Sequence, residues 1–371
     1  MLFSLTSFNY SRLKEFENMF SQTRLPLLLQ KAFKRGLCTD RPVNELRVGI
    51  IGMGQVGNAV IKNLQKHKFN VTSILDLDTS KCESFNATLA PNPRALVEDV
   101  DIVVTALPKP PHIKSAFEGE DGILQGIKEH KIWIDHSTTD YEQTQNFAQL
   151  VNDKGGHLLE SPVTGGLEAL KKGQMTTLVA GEKDVFEYIR PILDASYHNV
   201  LFTGPLGTAL IPKAISNTFA SMICIAAAEA LIICKRAGMD EKTTFDAFRA
   251  STGNSFVFET AVPMICQGTY DPSFTLDLHC KDNQLVHDFA RRLGVPIELL
   301  GHVQQMYNRA LSKYGPDAPC YIPAKLVEDA CHESLQNDAF KDWSYSIENV
   351  DGSAVIRHKG IDTPRTGHPM I

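Results

Sequence analysis

The stretch Arg47-Val48-Gly49-Ile50-Ile51-Gly52-Met53-Gly54-Gln55-Val56-Gly57 decides how this chain of 371 residues folds. Its first half is a short apolar run rich in β-forming residues. From Val56 to His67 the apolar residues recur at helical spacing. The glycines between the two runs permit a tight turn. The stretch therefore predicts a strand, a glycine turn and a helix in direct succession.

The three glycines of this turn have separate physical roles in a dinucleotide site. Gly52 permits the turn, Gly54 lets the backbone approach a pyrophosphate, and Gly57 lets the helix close on the sheet. The phosphates then meet a helix N-terminus, whose free N–H groups and dipole favour anions. Met53, Gln55 and Val56 complete the predicted contact segment.

Asp76 ends a second predicted strand, 71–75, and follows Gly57 by nineteen residues. A carboxylate at this distance accepts hydrogen bonds from a ribose diol and repels a 2′-phosphate. Leu77 and Asp78 follow it, where an Arg would favour the phosphate. The sequence therefore predicts a nicotinamide cofactor, with NAD favoured over NADP.

Strand and helix patterns alternate along the next hundred residues. Further strands are predicted at 101–107, 131–135, 157–160 and 174–180. This alternation predicts an α/β fold with a doubly wound parallel sheet, the Rossmann architecture.

A long apolar helix is predicted from Lys213 to Gly238, and the strands are expected to stop there. Further helical patterns cover 242–250, 282–293 and 301–311. The second domain is therefore predicted to be all-α and built on the long central helix. The predicted divisions are an N-terminal extension (1–45), a Rossmann domain (46–203), an all-α substrate and oligomerisation domain (204–340) and a tail without a domain (341–371).

Composition excludes several classes of partner. The net charge of −6 comes without a basic stripe, which argues against nucleic acid. Eight cysteines lie scattered, with no C-x-x-C pair and no metal-ligand spacing to His, so reduced thiols and no metal are expected. Asn217 and Glu229 interrupt the apolar helix, which favours a buried core helix over a membrane span.

The N-terminal extension carries six basic residues and two acidic ones before Asp40. The basic residues are Arg12, Lys14, Arg24, Lys31, Lys34 and Arg35. Interleaved with Phe, Leu and Ser, they suit a mitochondrial transit peptide and a location in the matrix. Glu15 and Glu17 suit the alternative, a surface extension of a cytoplasmic protein.

Lys213 and Asn217 stand four residues apart at the start of the long helix and so project from one face. Beside an apolar wall, desolvation destabilises a lysine ammonium and lets it exchange a proton with a substrate hydroxyl. Lys213 is the predicted general acid/base, and Asn217 is expected to orient the substrate. Thr164, Gly165 and Gly166 offer a hydroxyl and backbone N–H groups suited to a substrate carboxylate.

Taken together, these motifs resemble the β-hydroxyacid dehydrogenase family over residues 46–300. That family includes 3-hydroxyisobutyrate dehydrogenase, tartronate semialdehyde reductase and glyoxylate/succinic semialdehyde reductases. The resemblance implies that Leu107, Pro108 and Thr138 line the cofactor, that Lys281 reaches it from the second domain, and that Phe274 walls the substrate pocket. It also implies an enzyme that oxidises or reduces a small hydroxy acid or its semialdehyde with NAD(P).

The resemblance is closest to 3-hydroxyisobutyrate dehydrogenases, with three departures. Thr164 stands where the family usually has Ser, Ala169-Leu170 where it often has Gly-Ala, and His112 where those dehydrogenases tend to have Asn. These departures concern the substrate and the nicotinamide contacts, not the reaction type.

Three rival interpretations remain beside it. A 6-phosphogluconate dehydrogenase would carry a Glu where this chain has Ala220, although Arg365-Thr366-Gly367-His368 resembles that family's end. An imine reductase usually lacks the lysine at position 213. The alternative that is not an enzyme is a non-catalytic NAD-binding scaffold, which typically loses the lysine or a glycine.

The long apolar helix also favours association of the chain into a homodimer or homotetramer.

Overall fold

The structure, a computed structural model, describes residues 41–350 and 353–362. Most of the predicted transit peptide and the segment 365–368 lie outside the described residues, so the predictions on them stay predictions. Everything below concerns the described part of the chain.

A nine-stranded sheet forms the first half of the described chain. Its strands are β1 (Arg47–Ile51), β2 (Asn70–Leu75), β3 (Thr88–Leu89), β4 (Ile102–Thr105), β5 (Ile132–Asp135), β6 (His157–Glu160), β7 (Val163–Thr164), β8 (Thr176–Ala180) and β9 (Asn199–Gly204). Strands β3-β2-β1-β4-β5-β6 run parallel in that order, and β8 then joins β6 antiparallel, with β7 and β9 on β8. The predicted doubly wound fold is confirmed.

Seven helices connect these strands in the described chain. They are α1 (Gln55–Lys66), α2 (Pro93–Asp99), α3 (Pro110–Phe117), α4 (Ile123–Gly126), α5 (Tyr141–Asp153), α6 (Gly166–Lys171) and α7 (Lys183–Ser196). The central strands β4 and β5 are buried at every position, as expected where helices cover both faces of a sheet. Phe117, Trp133 and Phe147 stack in the core on one of these faces.

Six helices follow the sheet. They are α8 (Leu210–Arg236), α9 (Glu241–Arg249), α10 (Phe256–Gln267), α11 (Leu276–Leu293), α12 (Glu298–Tyr314) and α13 (Ala324–Cys331). Helix α8 contacts each of the other five, so it is the central helix of an α-helical region, as predicted. Helices α10 and α13 were not predicted from the sequence.

Helix α8 is long and apolar enough to cross a membrane by length and composition, and 44% of its most apolar window is buried inside the protein. Cys224, Ala228 and Leu231 are buried in an apolar cluster that includes Phe245 of α9 and Phe258 of α10. Their burial makes α8 the core of the helical region.

A β-hairpin follows the helices. Strands β10 (Ser344–Val350) and β11 (Ser353–Lys359) pair antiparallel, with Tyr345 opposite His358 and Ile347 opposite Ile356. The expectation that strands stop at the long helix is therefore wrong. Ile347 and Ile356 are buried, so the hairpin has an apolar side that packs onto the protein.

Candidate active site

The glycine turn between β1 and α1 has the geometry that its sequence requires. Gly52 has φ of +95°, and a Cβ there would lie 2.5 Å from the carbonyl oxygen of Ala106. A Cβ at Gly57 would lie 1.9 Å from the carbonyl oxygen of Gly52. A Cβ at Gly54 would have no protein atom within 4 Å. The protein's own packing thus excludes a side chain at the outer two glycines, while the middle one faces open space.

Asp76 follows the carboxyl end of β2 and fastens the glycine turn. Its Oδ2 accepts the backbone N–H of Met53 at 2.7 Å, and its Oδ1 accepts that of Asp78 at 2.9 Å. The Lys81 ammonium lies 3.7 Å from Asp76 Oδ1 and 3.6 Å from Asp78 Oδ2. The carboxylate predicted to bind a ribose therefore also holds the glycine turn in place, and the Lys81 ammonium lies beside this carboxylate.

Leu107 and Thr138 follow the carboxyl ends of the neighbouring strands β4 and β5. The Leu107 N–H donates to Ser137 Oγ at 2.9 Å. Asp135, at the end of β5, accepts Thr105 Oγ1–H at 2.7 Å and the Ser137 N–H at 3.0 Å. Burial raises the pKa of Asp135, although these hydrogen bonds oppose the shift. Asp135 thus joins the two loops that the resemblance assigns to the cofactor.

Two lysines meet at one buried carboxylate. Lys213 Nζ lies 2.7 Å from Oδ2 of Asp282, and Lys281 Nζ lies 3.0 Å from its Oδ1. Asn217 Nδ2 donates to the same Oδ2 at 2.5 Å. The Asp282 side chain is 0% exposed and that of Lys213 is 8% exposed. We call these four residues the lysine cluster.

The lysine cluster corrects one prediction. Lys213 was expected beside an apolar wall, but its ammonium contacts a carboxylate. Burial alone would raise the pKa of Asp282, yet the ammonium groups of Lys213 and Lys281 hold it well below its usual value. The carboxylate is therefore ionised and holds Lys213 in a fixed position.

Lys281 connects the lysine cluster to the cofactor loops. Its Nζ donates to the carbonyl oxygen of Thr138 at 2.9 Å. Burial lowers the pKa of the Lys281 ammonium, although Asp282 opposes the shift. Because this one side chain touches both Asp282 of α11 and the segment after β5, the helical region and the sheet edge meet at the site.

Phe274 contacts the ring of His279, which in turn contacts Asn217. Its ring centroid is 5.7 Å from that of His279, whose Nε2 lies 3.0 Å from the carbonyl oxygen of Asn217 and 2.9 Å from Ser221 Oγ. Burial lowers the pKa of His279, so the ring is neutral near pH 7. The aromatic side chain that the resemblance assigns to the substrate pocket is thus connected to Asn217 through His279.

The Thr164-Gly165-Gly166 turn links β7 to α6. Gly165 has φ of +132° and Gly166 has φ of +81°, backbone conformations that favour glycine. Thr164 and Gly165 are half-buried and Gly166 is exposed. The turn belongs to the connection that follows β6, so it lies beyond the same carboxyl edge as the other loops.

Glu160 ends β6 and contacts the segment that leads into α8. Its Oε1 accepts the N–H of Gly207 at 2.6 Å. Burial raises the pKa of Glu160 from 4.5 to about 7; the nearby Asp135 carboxyl acts in the same direction, and the backbone N–H of Gly207 opposes the shift. The folded protein therefore binds this proton more tightly than the unfolded chain does. The free energy of unfolding should fall as pH rises from 4.5 to about 7.

Replacing Glu160 with glutamine is expected to remove this pH-dependent loss of unfolding free energy, which amounts to about 3 kcal/mol at most. Urea unfolding at pH 5 and pH 8 measures it. The unmodified protein should lose more stability between the two pH values than Glu160→Gln does. Glu129→Gln is the matched control, because the Glu129 side chain is 78% exposed. An equal pH dependence in Glu160→Gln and the unmodified protein would show that Glu160 is not the responsible group.

Sequence reasoning missed four residues of this site: Asp135, Glu160, His279 and Asp282. A signal existed for Asp282, since it directly follows Lys281 within a helix that is otherwise partly apolar. An acidic residue beside a predicted functional lysine is a candidate partner for another cation. The other three only acquire their contacts through the tertiary fold.

Two family models match most of the described chain. Residues 47–204 match the family model of the NAD binding domain of 6-phosphogluconate dehydrogenase. Residues 207–325 match that of the NAD-binding domain of NADP-dependent 3-hydroxyisobutyrate dehydrogenase. The two matched segments contain all the predicted site residues, from Gly52 to Lys281.

Individual dehydrogenases and reductases are also similar to this chain. Mitochondrial 3-hydroxyisobutyrate dehydrogenase of Mus musculus is 29% identical over 287 residues, which cover 75% of this chain and 85% of the relative. The 2-hydroxy-3-oxopropionate reductase of Escherichia coli K12 is 26% identical, with 73% of this chain and 93% of the relative covered. The crystal structure of a 3-hydroxyisobutyrate dehydrogenase from Salmonella typhimurium is 25% identical, with a TM-score of 0.68, and covers 76% of this chain and 100% of that chain. The chain therefore belongs to the β-hydroxyacid dehydrogenase family and is an NAD(P)-dependent oxidoreductase.

Proposed function

We propose that this enzyme interconverts a small β-hydroxy acid and its semialdehyde, in the manner of a 3-hydroxyisobutyrate dehydrogenase. The observation that carries the proposal is the lysine cluster. The Lys213 ammonium donates to Asp282 at 2.7 Å, and Lys281 of the same cluster donates to the carbonyl oxygen of Thr138, which the resemblance assigns to the cofactor site. A positioned proton donor beside a nicotinamide site is what hydroxy acid oxidation and semialdehyde reduction require.

The glycine turn fits a dinucleotide. Only open space lies within 4 Å of a Cβ at Gly54, so a pyrophosphate can approach the backbone there, and α1 begins with Gln55. A bound NAD(P) accepts or supplies a hydride at its nicotinamide ring. The protein's own part is to hold both reactants in register and to handle the proton.

Each residue of the site has a proposed role in that task. The Thr164 hydroxyl and the N–H groups of Gly165 and Gly166 bind the substrate carboxylate. Lys213 gives its proton to the aldehyde oxygen in reduction and takes the hydroxyl proton in oxidation. Asn217 orients the substrate.

We propose NAD rather than NADP as the physiological cofactor. Asp76 and Asp78 place two carboxylates at this point, and the Lys81 ammonium lies within 4 Å of both. The local charge is therefore still negative where a 2′-phosphate would bind, and that charge repels it.

The substrate could also be that of another family member. One relative is a 2-hydroxy-3-oxopropionate reductase, which makes tartronate semialdehyde an alternative substrate. Glyoxylate and succinic semialdehyde are further alternatives, because the family includes reductases of both. A non-catalytic NAD-binding scaffold is the alternative outside enzymes. The presence of Lys213 in contact with Asp282 favours an active enzyme.

A substrate panel tests the proposed function. 3-Hydroxyisobutyrate, glycerate, glycolate and 4-hydroxybutyrate are offered with NAD and with NADP, and nicotinamide absorbance is followed. We expect the highest kcat/KM for 3-hydroxyisobutyrate with NAD. Faster turnover of another acid would reassign the substrate, and a higher kcat/KM with NADP would refute the cofactor preference. No turnover with any acid and either cofactor would favour the scaffold.

The proposed setting is the mitochondrial matrix, and the proposed assembly is a homodimer or homotetramer. The Mus musculus and Homo sapiens relatives are named as mitochondrial proteins. Helix α8 leaves Phe219 and Ile233 exposed, at 49% and 68%. Large apolar side chains exposed on one helix support association between copies of this chain.

A further inference from the structure

The side chain of Glu160 contacts the backbone at the start of helix α8. Glu160 is buried, with 3% of its surface exposed, and its Oε1 accepts the N–H of Gly207 at 2.6 Å. Burial raises the pKa of this carboxyl group, and the N–H groups of Ala209 and Leu210, like that of Gly207, oppose the shift. Leu210 is the first residue of α8. A carboxyl group from the sheet therefore faces the N-terminus of the helix that carries Lys213.

The start of α8 depends on an acceptor from elsewhere in the protein. The first N–H groups of a helix have no carbonyl acceptor within it. Ala209, at the N-cap position, has no side-chain atom that can accept a hydrogen bond. The N–H of Ile211 donates to the carbonyl oxygen of Gly207 at 3.2 Å, and Pro212 carries no N–H. Glu160 brings a carboxyl group to the donors that remain at this end.

Two further contacts fix the segment before α8. Gln145 Nε2 donates to the carbonyl oxygen of Leu206 at 3.0 Å. Gly207 has φ of +96°, and a Cβ there would lie 2.1 Å from the ring of Tyr141. Both partners belong to α5, which contacts β6. The segment between β9 and α8 is therefore packed on the sheet side of the site, with Glu160 at its helical end.

Lys213 follows this start by one helical turn. Its N–H donates to the carbonyl oxygen of Ala209 at 3.3 Å, so its backbone moves with the first turn of α8. Asp282 holds the Lys213 ammonium at 2.7 Å, whereas Glu160 holds the backbone that carries it. The position of the proposed proton donor is therefore set at two points.

Glu160 is also the neighbour of Asp135 in the sheet. The two residues pair across the parallel strands β5 and β6. Asp135 joins the loops assigned to the cofactor through Thr105 and Ser137. Adjacent strand ends thus hold the cofactor loops on one side and the helix of the proton donor on the other. A change in the reach of Glu160 should change the distance between them.

We propose that Glu160 is a positioning residue: its carboxyl group holds the start of α8 at the edge of the sheet and so sets the distance between Lys213 and the nicotinamide site. This inference rests on the proposed function. The length of the side chain carries the role, because Oε1 makes the contact. Glu160 Oε2 is buried without a hydrogen-bond partner among the described residues, so an amide nitrogen in its place loses no contact.

The test compares Glu160→Asp and Glu160→Gln with the unmodified enzyme, on the best acid of the substrate panel. Glu160→Asp keeps the carboxyl group but shortens the side chain by about 1.5 Å, the length of one carbon–carbon bond. We expect the rate of a single turnover to fall by about 10- to 100-fold, because a misplacement of about 1 Å can have that effect. The KM and the Kd for NADH should stay within about threefold, since the carboxylate-binding turn and the glycine turn lie outside α8.

Glu160→Gln keeps both the length of the side chain and an acceptor oxygen. Its rate should therefore stay within about threefold of normal. A normal rate in Glu160→Asp would overturn the inference. An equal loss in Glu160→Asp and Glu160→Gln would overturn it too, because the charge of the group and not its reach would then be required.

Glu328→Asp is the matched control. Glu328 is also buried, and its Oε1 accepts a backbone N–H, that of Leu335, at 2.7 Å. Its Oε2 accepts the hydroxyl of Tyr270 at 2.6 Å, so the shorter side chain disturbs α13 rather than the start of α8. The single-turnover rate of this variant should be normal even if urea unfolds it more easily. A loss equal to that of Glu160→Asp would overturn the inference, because general destabilisation would explain both.

Backbone hydrogen exchange separates this inference from the proposed function, because it needs no substrate. Exchange in peptides that cover 204–213 should be about tenfold faster in Glu160→Asp than in the unmodified protein or Glu160→Gln, since a hydrogen bond to a carboxylate is lost. If no acid of the panel is turned over but exchange rises in this way, the proposed function fails and the contact of Glu160 with α8 holds. If turnover is normal and exchange is unchanged in Glu160→Asp, the inference fails alone.

Discussion

Replacing Lys213 with alanine is expected to lower kcat by about 10²- to 10⁴-fold, the usual contribution of a positioned general acid or base. The Kd for NADH should change little, since the glycine turn and Asp76 lie on β1, α1 and β2. Stopped-flow measurement of a single turnover and fluorescence titration of NADH separate the two effects. The physical reason is that Lys213 is the proposed proton donor and is fixed 2.7 Å from Asp282.

The Lys213→Ala change also leaves Asp282 with one fewer cation in a buried setting, which costs stability. The double variant Lys213→Ala with Asp282→Asn removes that charge but leaves the Lys281 ammonium without its carboxylate partner. Urea unfolding therefore checks that each variant is folded, and the double variant should remain inactive. Lys242→Ala is the matched control, because Lys242 pairs with Asp246 on α9, away from the site. Turnover by the double variant at more than a tenth of the normal rate would end the assignment of Lys213 as general acid/base.

Replacing Gly57 with alanine should have the second largest effect. The new Cβ would lie 1.9 Å from the carbonyl oxygen of Gly52, so helix α1 must move away from the sheet. Overpacking of this kind costs about 3 kcal/mol of unfolding free energy. Since the moved helix no longer presents its N-terminus to the phosphates, NAD binding should be lost as well. Urea unfolding and NAD titration measure both.

Gly54→Ala separates the fold from the cofactor in the same experiment. Its Cβ meets no protein atom within 4 Å, so stability without cofactor should be unchanged. NAD should nevertheless bind more weakly, because the methyl group occupies space that the pyrophosphate needs. Gly301→Ala, also in open space but on α12, is the control for glycine replacement. Normal NAD binding by Gly54→Ala would show that the cofactor does not approach the turn.

Local patterns in the sequence were enough for the glycine turn, the long helix and six of the nine strands of the sheet, but not for β3, β7 and β9. Each rests on residues near one another in the chain, such as Gly52 to Gly57, whose spacing has a direct geometric meaning. The Lys213 and Asn217 pair is of the same kind, because one helical turn separates the two. Roles that depend on distant residues were not accessible. Asp282 is 69 residues from Lys213 along the chain, and only tertiary packing shows that they meet.

The hairpin could have been found from the sequence. Asp351-Gly352 is a turn signal, and Tyr345, Ile347 and Val355 lie in flanking runs that alternate polar and apolar residues. The abundance of Gly, Pro and His in the tail concealed that pattern. Even so, no spacing rule connects the hairpin with helix α10, because the contact of His358 with Glu259 depends on the tertiary fold.

The burial of the lysine cluster gives the two halves of the site different responses to ionic strength. Mobile salt ions screen charges that water reaches and have little effect on charges from which solvent is excluded. The Lys81 side chain beside Asp76 is 47% exposed, whereas those of Lys213 and Asp282 are 8% and 0% exposed. We therefore expect added salt to weaken the proposed electrostatic selection between NAD and NADP but to leave the Lys213 and Asp282 pair intact. In the proposed mechanism, the choice of cofactor would then vary with ionic strength, whereas proton transfer by Lys213 would not.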